Sequence, residues 1–65
     1  MILVNGDPSD VMPGTTVAEL MRTIDAPERG VAVAVDGEVV PRGAWRETAL
    51  ADQARVEVVT AVQGG

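Results

Sequence analysis

The sequence contains no cysteine and no histidine. The first absence removes disulfide staples, thiolate metal sites and any thiol nucleophile. The second removes the one side chain that ordinarily serves as a base near neutral pH. Together they exclude most catalytic and metal-binding constellations. There is also no phenylalanine and no tyrosine, and Trp45 is the only aromatic residue, so packing falls to Val, Leu, Ile, Met and Ala. Lysine is missing too, and all five cations are arginines, set against 10 acidic residues for a net charge of −5. A chain so poor in cations has nothing to neutralise a run of phosphates, which argues against nucleic acid as a partner. A complementary basic protein surface suits it better. No apolar run is long enough to span a bilayer, and no basic start precedes an apolar stretch. A protein of the cytoplasm is the expectation.

What remains is a chain of 65 residues, room for one domain with a thin aliphatic core. Met1-Ile2-Leu3-Val4 is a short apolar run closed by the turn formers Asn5 to Ser9, and Asp10-Val11-Met12 is a candidate for the returning strand. Pro13-Gly14 ends it. Thr16 then stands three residues before Glu19, the spacing at which the two residues cap each other's backbone N–H groups. Val17, Leu20, Met21 and Ile24 follow at i, i+3, i+4 and i+7, predicting one short helix that stops near Asp25-Ala26, ahead of Pro27.

Val31 to Val35 alternates large and small apolar residues and reads as a strand covered at least partly on both faces. Asp36-Gly37 predicts a two-residue hairpin loop, with Glu38-Val39-Val40 returning and Pro41 stopping the ladder. From Arg42 to Ala54 the pattern is irregular, with Trp45 and Leu50 as anchors into the core. Arg55 to Ala61 is the last strand, Val56 and Val58 on one face, Val59 and Ala61 on the other. The order strand, strand, helix, strand, strand, strand is that of a two-layer α+β domain. Residues 1–61 form the domain, and Val62-Gln63-Gly64-Gly65 projects as a tail.

Gly64-Gly65 is the feature with a chemical reading. Two glycines in a row at the last positions arise by chance in roughly 0.5% of chains, so on its own the pair also reads as an arbitrary end. Its physical merits are specific. Without Cβ atoms such a tail can thread a narrow channel beside another protein's backbone. A terminal carboxylate can be activated as an acyl adenylate without touching any side chain, and exchange of oxygen for sulfur then yields a thiocarboxylate. A chain with neither Cys nor His can carry sulfur in that way.

The same residues carry a resemblance that covers almost the whole chain. Met1-Ile2-Leu3-Val4-Asn5-Gly6, Thr16-Val17-Ala18-Glu19-Leu20-Met21, Val31 to Val35, Glu38-Val39-Val40-Pro41-Arg42, Trp45, Val56-Glu57-Val58-Val59 and Ala61-Val62-Gln63-Gly64-Gly65 are similar to the ThiS family of sulfur carriers. The most specific combination is Val-Pro-Arg with Trp three positions later and Gly-Gly at the end. The resemblance implies a ubiquitin-like β-grasp fold, with a mixed sheet of four to five strands packed on one helix and a flexible Gly-Gly tail. It implies no enzyme but a protein cosubstrate of thiamin biosynthesis, monomeric when free. A ThiF-like enzyme would adenylate Gly65, consuming ATP, with no cofactor bound by the chain itself. A cysteine desulfurase relay would supply sulfur, and the thiazole synthase ThiG would take it. Two departures stand out. Relatives carry Gly-Asp before the final strand where this chain has Asp52-Gln53-Ala54-Arg55, so that turn should differ in geometry; and Asp36 replaces the Asn of many relatives.

If Val56 and Val58 point at the helix, then Val59 and Ala61 face solvent beside the tail, with Leu3 or Met1 joining them. These make a candidate docking patch for partner enzymes. Trp45 reads as a core or lid anchor ahead of a partner hot spot, and Arg42 as half of an ion pair within the fold ahead of a contact with the activating enzyme. Asp7 with Asp10, and Asp36 with Glu38, are solvated turn acids rather than an active site, since so small a domain has no cleft of the usual volume. Other functions share parts of this pattern: a carrier for molybdopterin or cysteine synthesis, a ubiquitin-like modifier, or a non-covalent adaptor that binds by strand addition.

Overall fold

The N-terminal hairpin is tighter than the sequence reading places it. In the computed structural model, which describes residues 1–26 and 29–60, strand β1 spans Ile2–Val4 and strand β2 spans Asp7–Ser9. Asn5 (φ 52°) and Gly6 (φ 83°) alone form the turn. Both central residues have positive φ, the conformation that a two-residue hairpin loop requires and that Asn-Gly supplies at least cost. The return strand is therefore Asp7–Ser9, not Asp10–Met12. Pro8 is tolerated because β2 is an edge strand.

Helix α1 runs over Val17–Thr23 and begins as its capping signature dictates. Glu19 N–H donates to Thr16 Oγ1 at 3.1 Å, and Thr16 N–H donates to Glu19 Oε1 at 2.9 Å. These bonds, the backbone one foremost, hold the Glu19 carboxyl below the ordinary carboxylate range. Val17, Leu20 and Met21 are buried, but Ile24 is the C-cap and 41% exposed, so the apolar stripe ends a turn early. Asp25 takes φ 56° directly after the cap, which turns the chain before Pro27; Pro27 itself lies outside the described residues.

Strands β3 (Val31–Val35) and β4 (Glu38–Val40) form the second hairpin, with Asp36 and Gly37 at φ 51° and 87°. Strand β5 (Arg55–Thr60) inserts between the hairpins, giving the order β2-β1-β5-β3-β4. It runs parallel to β1 and antiparallel to β3. This mixed five-stranded sheet under a single helix is the β-grasp arrangement that the resemblance implies. The parallel ladder outlasts β1: where β1 turns away, Asn5 Oδ1 accepts the Val58 N–H at 2.7 Å in place of a backbone carbonyl.

The segment expected to be irregular holds a 3₁₀ helix over Arg42–Glu47. It forms because Pro41 cannot continue the strand and Trp45 is pulled inward, its indole N–H donating to Val40 O at 3.0 Å. Backbone bonds from Val17 N to Thr48 O (2.9 Å) and from Leu50 N to Thr15 O (2.8 Å) tie this stretch to the start of α1. The core lies between helix and sheet: Ile2, Val17, Leu20, Val33, Leu50 and Val56 are almost wholly buried, with Met21, Trp45 and Ala54 beside them. Each such aliphatic side chain contributes about 1.5–3 kcal/mol on burial. β3 is covered fully on one face and partly on the other: Val33 is buried, while on the opposite face Ala34 is half-buried and Ala32 exposed. The turn before β5 keeps a left-handed residue without glycine, Gln53 at φ 73°. No helix among the described residues is long and apolar enough to cross a membrane.

Candidate functional site

The register of the sheet decides which apolar residues face away from the helix. Val56 and Val58 point toward α1, so Arg55, Glu57 and Val59 point to the other side. On β3, Ala32 stands opposite Val59 and Ala34 opposite Glu57; on β4, Val39 stands opposite Ala34. Val59 is 64% exposed and Val39 72%. Val59, Ala32, Ala34 and Val39 thus make a low, apolar surface across three strands, with the two alanines as its floor.

Of the residues proposed from the sequence as a docking patch, Leu3 and Val59 share this open face but are not neighbours. Leu3 pairs with Arg55 and is half-buried, and Val59 lies four residues further along β5, about 13 Å away at the usual rise. Glu57 stands between them on the same face. Ala61 lies outside the described residues, as do Val62, Gln63, Gly64 and Gly65. The sequence reading missed Val39 and Ala32. The Asp36-Gly37 loop carried the signal for Val39, because a two-residue loop fixes Val39 opposite Ala34.

Two grooves flank the apolar surface, the first on the same open face and the second on the helix side. The larger, of about 600 Å³, opens between the two hairpin turns and is lined by Leu3, Gly6, Asp36, Gly37, Arg55 and Glu57. Asp36 there accepts the Arg55 N–H at 3.0 Å, and its own N–H donates to Arg55 O at 2.8 Å, so its carboxylate serves the turn. This groove sits at the start of β5, about 17 Å from Thr60 where the described chain ends. The second, of about 460 Å³, lies between α1 and the 3₁₀ helix. Arg42 reaches it without the ion pair expected from the sequence. Among the described residues the one ion pair joins the Met1 ammonium to Asp52, and the Arg42 guanidinium instead lies 5.2 Å from the centroid of the Trp45 ring. The Met1–Asp52 hydrogen bond holds the Asp52 carboxyl below its ordinary range.

The chain leaves β5 at Thr60, opposite Val31 on β3, and five residues follow to Gly65. Fully extended, they reach at most about 17 Å. With the apolar surface beside the exit, the arrangement can present a terminus to a second protein that rests on the sheet.

Comparison with known proteins agrees with this architecture. The family model described as "ThiS family" matches residues 2–65. The Sulfur carrier protein ThiS of Escherichia coli (strain K12) is 30% identical over 64 residues, covering 98% of this chain and 97% of that protein. The crystal structure of a thiamine biosynthesis protein (ThiS) from Geobacter metallireducens superposes with a TM-score of 0.80 at 33% identity, covering 98% of this chain and 97% of that one. The solution NMR structure of a thiamine biosynthesis protein from the same organism gives 0.79 at 33% identity, covering 98% and 86%.

Proposed function

The chain belongs to the ThiS family, and on that premise we propose that it is a sulfur carrier for thiamin biosynthesis whose cargo rides on the carboxyl group of Gly65. The observation that carries this reading is the extent of the family match, which runs to residue 65 and so includes the terminal Gly64-Gly65. The absence of cysteine and histidine supports it, because the terminus is then the group best suited to hold sulfur.

The chemistry divides between the chain and its partners. A ThiF-like enzyme joins the Gly65 carboxylate to AMP, releasing pyrophosphate from ATP. Sulfur leaves a cysteine desulfurase relay as a persulfide, and a thiol reductant, itself ending as a disulfide, brings it to the sulfide level; it bonds to the acyl carbon as the C–O bond to AMP breaks and AMP leaves. The thiocarboxylate passes its sulfur to a ThiG-type thiazole synthase, and water restores the carboxylate oxygen. The chain supplies no acid or base to any step. It presents the tail, whose glycines fit a narrow channel, and it offers Val59 with its apolar neighbours as the docking surface, Leu3 and Ala61 being the further members proposed from the sequence.

Intact mass after incubation with ATP, a ThiF-type enzyme and a sulfide source tests the reading. Replacement of one oxygen by sulfur is expected in the full chain and not in a variant lacking Gly65. No mass change, with an activating enzyme shown competent on its own carrier, refutes it. A non-covalent adaptor would keep its binding after loss of Gly65, whereas a carrier loses all activity.

A further inference from the structure

The net charge of −5 conceals a local reversal. The groove between α1 and the 3₁₀ helix gathers three of the five arginines, Arg22, Arg42 and Arg46, against one carboxylate of the lining, Asp25. All three arginines are exposed, and among the described residues none is in an ion pair. Met21 and Trp45 form part of an apolar floor beneath them.

Helix dipoles account for part of this. Arg22 and Arg46 lie in the last turns of their helices, where carbonyl ends favour cations. Arg42 does not fit that account, because it opens the 3₁₀ helix, the end at which a cation is disfavoured. Its guanidinium is held over Trp45 instead, which leaves the edges of the planar fork able to donate. The groove also faces the end of the sheet from which the tail departs. Val31 pairs with Thr60, Val33 pairs with Val40 just before the 3₁₀ helix, and Ala26 at the end of α1 borders the groove.

We propose that this arginine groove docks an acidic segment of the enzyme that receives the C-terminal residues, a proposal that rests on the carrier reading above. The chemistry favours carboxylates on an extended chain over a compact anion. Three arginine forks spread along one rim, from the last turn of α1 to both ends of the 3₁₀ helix, suit successive side-chain carboxylates better than one compact anion. A nucleotide base finds no exposed ring, since Trp45 is 8% exposed. On an otherwise acidic chain, a positive groove orients the approach of an acidic partner. Engagement at the groove raises the effective concentration of the tail at its channel.

The test uses the full chain, with Trp45 as a unique fluorophore and amide NMR as the map. A hexaglutamate peptide at low salt should give saturable changes at Trp45 and at residues 18–26 and 42–46. The changes should vanish in R22E/R46E and weaken in the milder R22Q/R46Q. With a ThiF-like enzyme, R22E/R46E should associate about tenfold more slowly at low salt, the difference closing at high salt. No peptide response, a response mapped elsewhere, or an equal response to sulfate at matched ionic strength overturns the proposal. So does an association rate unchanged in R22E/R46E. Intact mass separates the two ideas: sulfur gained by the wild type with unchanged R22E/R46E association leaves the carrier reading standing and removes the groove. Absence of sulfur in the wild type refutes the carrier reading, and with it the identity of the groove's partner.

Discussion

Replacing Gln53 with glycine should stabilise this domain, although it removes a side chain and adds no contact. Gln53 holds φ 73° in the turn that leads into β5. A left-handed conformation costs an ordinary L-residue roughly 1–2 kcal/mol, and glutamine lacks the short side chain with which Asn or Asp offsets it. The side chain adds only a minor contribution to holding the exposed Asp52 carboxylate, and the bonds of the turn are backbone ones: Gln53 N–H donates to Met1 O at 3.1 Å, and Ala54 N–H donates to Ala51 O at 3.1 Å. Glycine keeps both. It also gives the unfolded chain more freedom, which returns about 0.4–1 kcal/mol of the gain. The net expectation is about 0.5–1 kcal/mol, and at about 4–8 °C per kcal/mol for a domain of this size, Tm rises by about 2–8 °C. Thermal and urea unfolding at fixed pH measure it, with the m-value unchanged because the buried surface is unchanged. Q53A retains Cβ and should not rise, while Q53N should fall between glutamine and glycine. A Q53G domain no more stable than the wild type refutes the claim that the turn is strained.

Loss of the helix cap in T16A should cost about 1 kcal/mol, since it strips Glu19 N–H of its acceptor at 3.1 Å; denaturant unfolding reads this directly, and an unchanged midpoint contradicts it. V59D should weaken binding to the activating enzyme about tenfold or more by placing a charge in the apolar surface, with Tm nearly unchanged because Val59 is 64% exposed. Equal affinity would remove Val59 from the docking surface. The Asp52 carboxyl is held below its ordinary range by the Met1 ammonium. A depressed folded pKa contributes stability that is complete above the unfolded value and is lost as pH falls through the folded one. The Tm gap between wild type and D52N should therefore be widest near neutral pH and close in acid; a gap independent of pH refutes the pairing.

The devices that the sequence made legible are local ones. The Thr16–Glu19 box and the Asp36-Gly37 loop act over four residues or fewer, so residue identity is enough to place them. Asn5-Gly6 is equally local, but the longer run of turn formers that follows it obscured the return strand at Asp7. Ile24 fell outside the core because the helix capped at that residue, which periodicity alone cannot register. The 3₁₀ helix was illegible for a different reason: it depends on Trp45 reaching Val40 O and on strand β4 ending at Val40. Gln53 gave no local signal of its conformation: it takes a positive φ without being glycine, with its N–H bonded to Met1 O just before β5.

By itself the sequence determined the class of fold, the Asp36-Gly37 turn, the helix cap and the core-facing valines of its last strand, since each follows from residue type or from a period of a few residues. Tertiary structure alone decided that β5 enters between β1 and β3. That insertion sets Val59 beside Ala32, parts it from Leu3, and puts the tail exit at the end of the sheet that the arginine groove faces. Arg22 and Arg42 are 20 positions apart in the chain, and only the packing of α1 against the 3₁₀ helix brings them to one groove. Long-range pairing is selected by which faces can be buried together, and that choice belongs to the whole chain rather than to any segment of it.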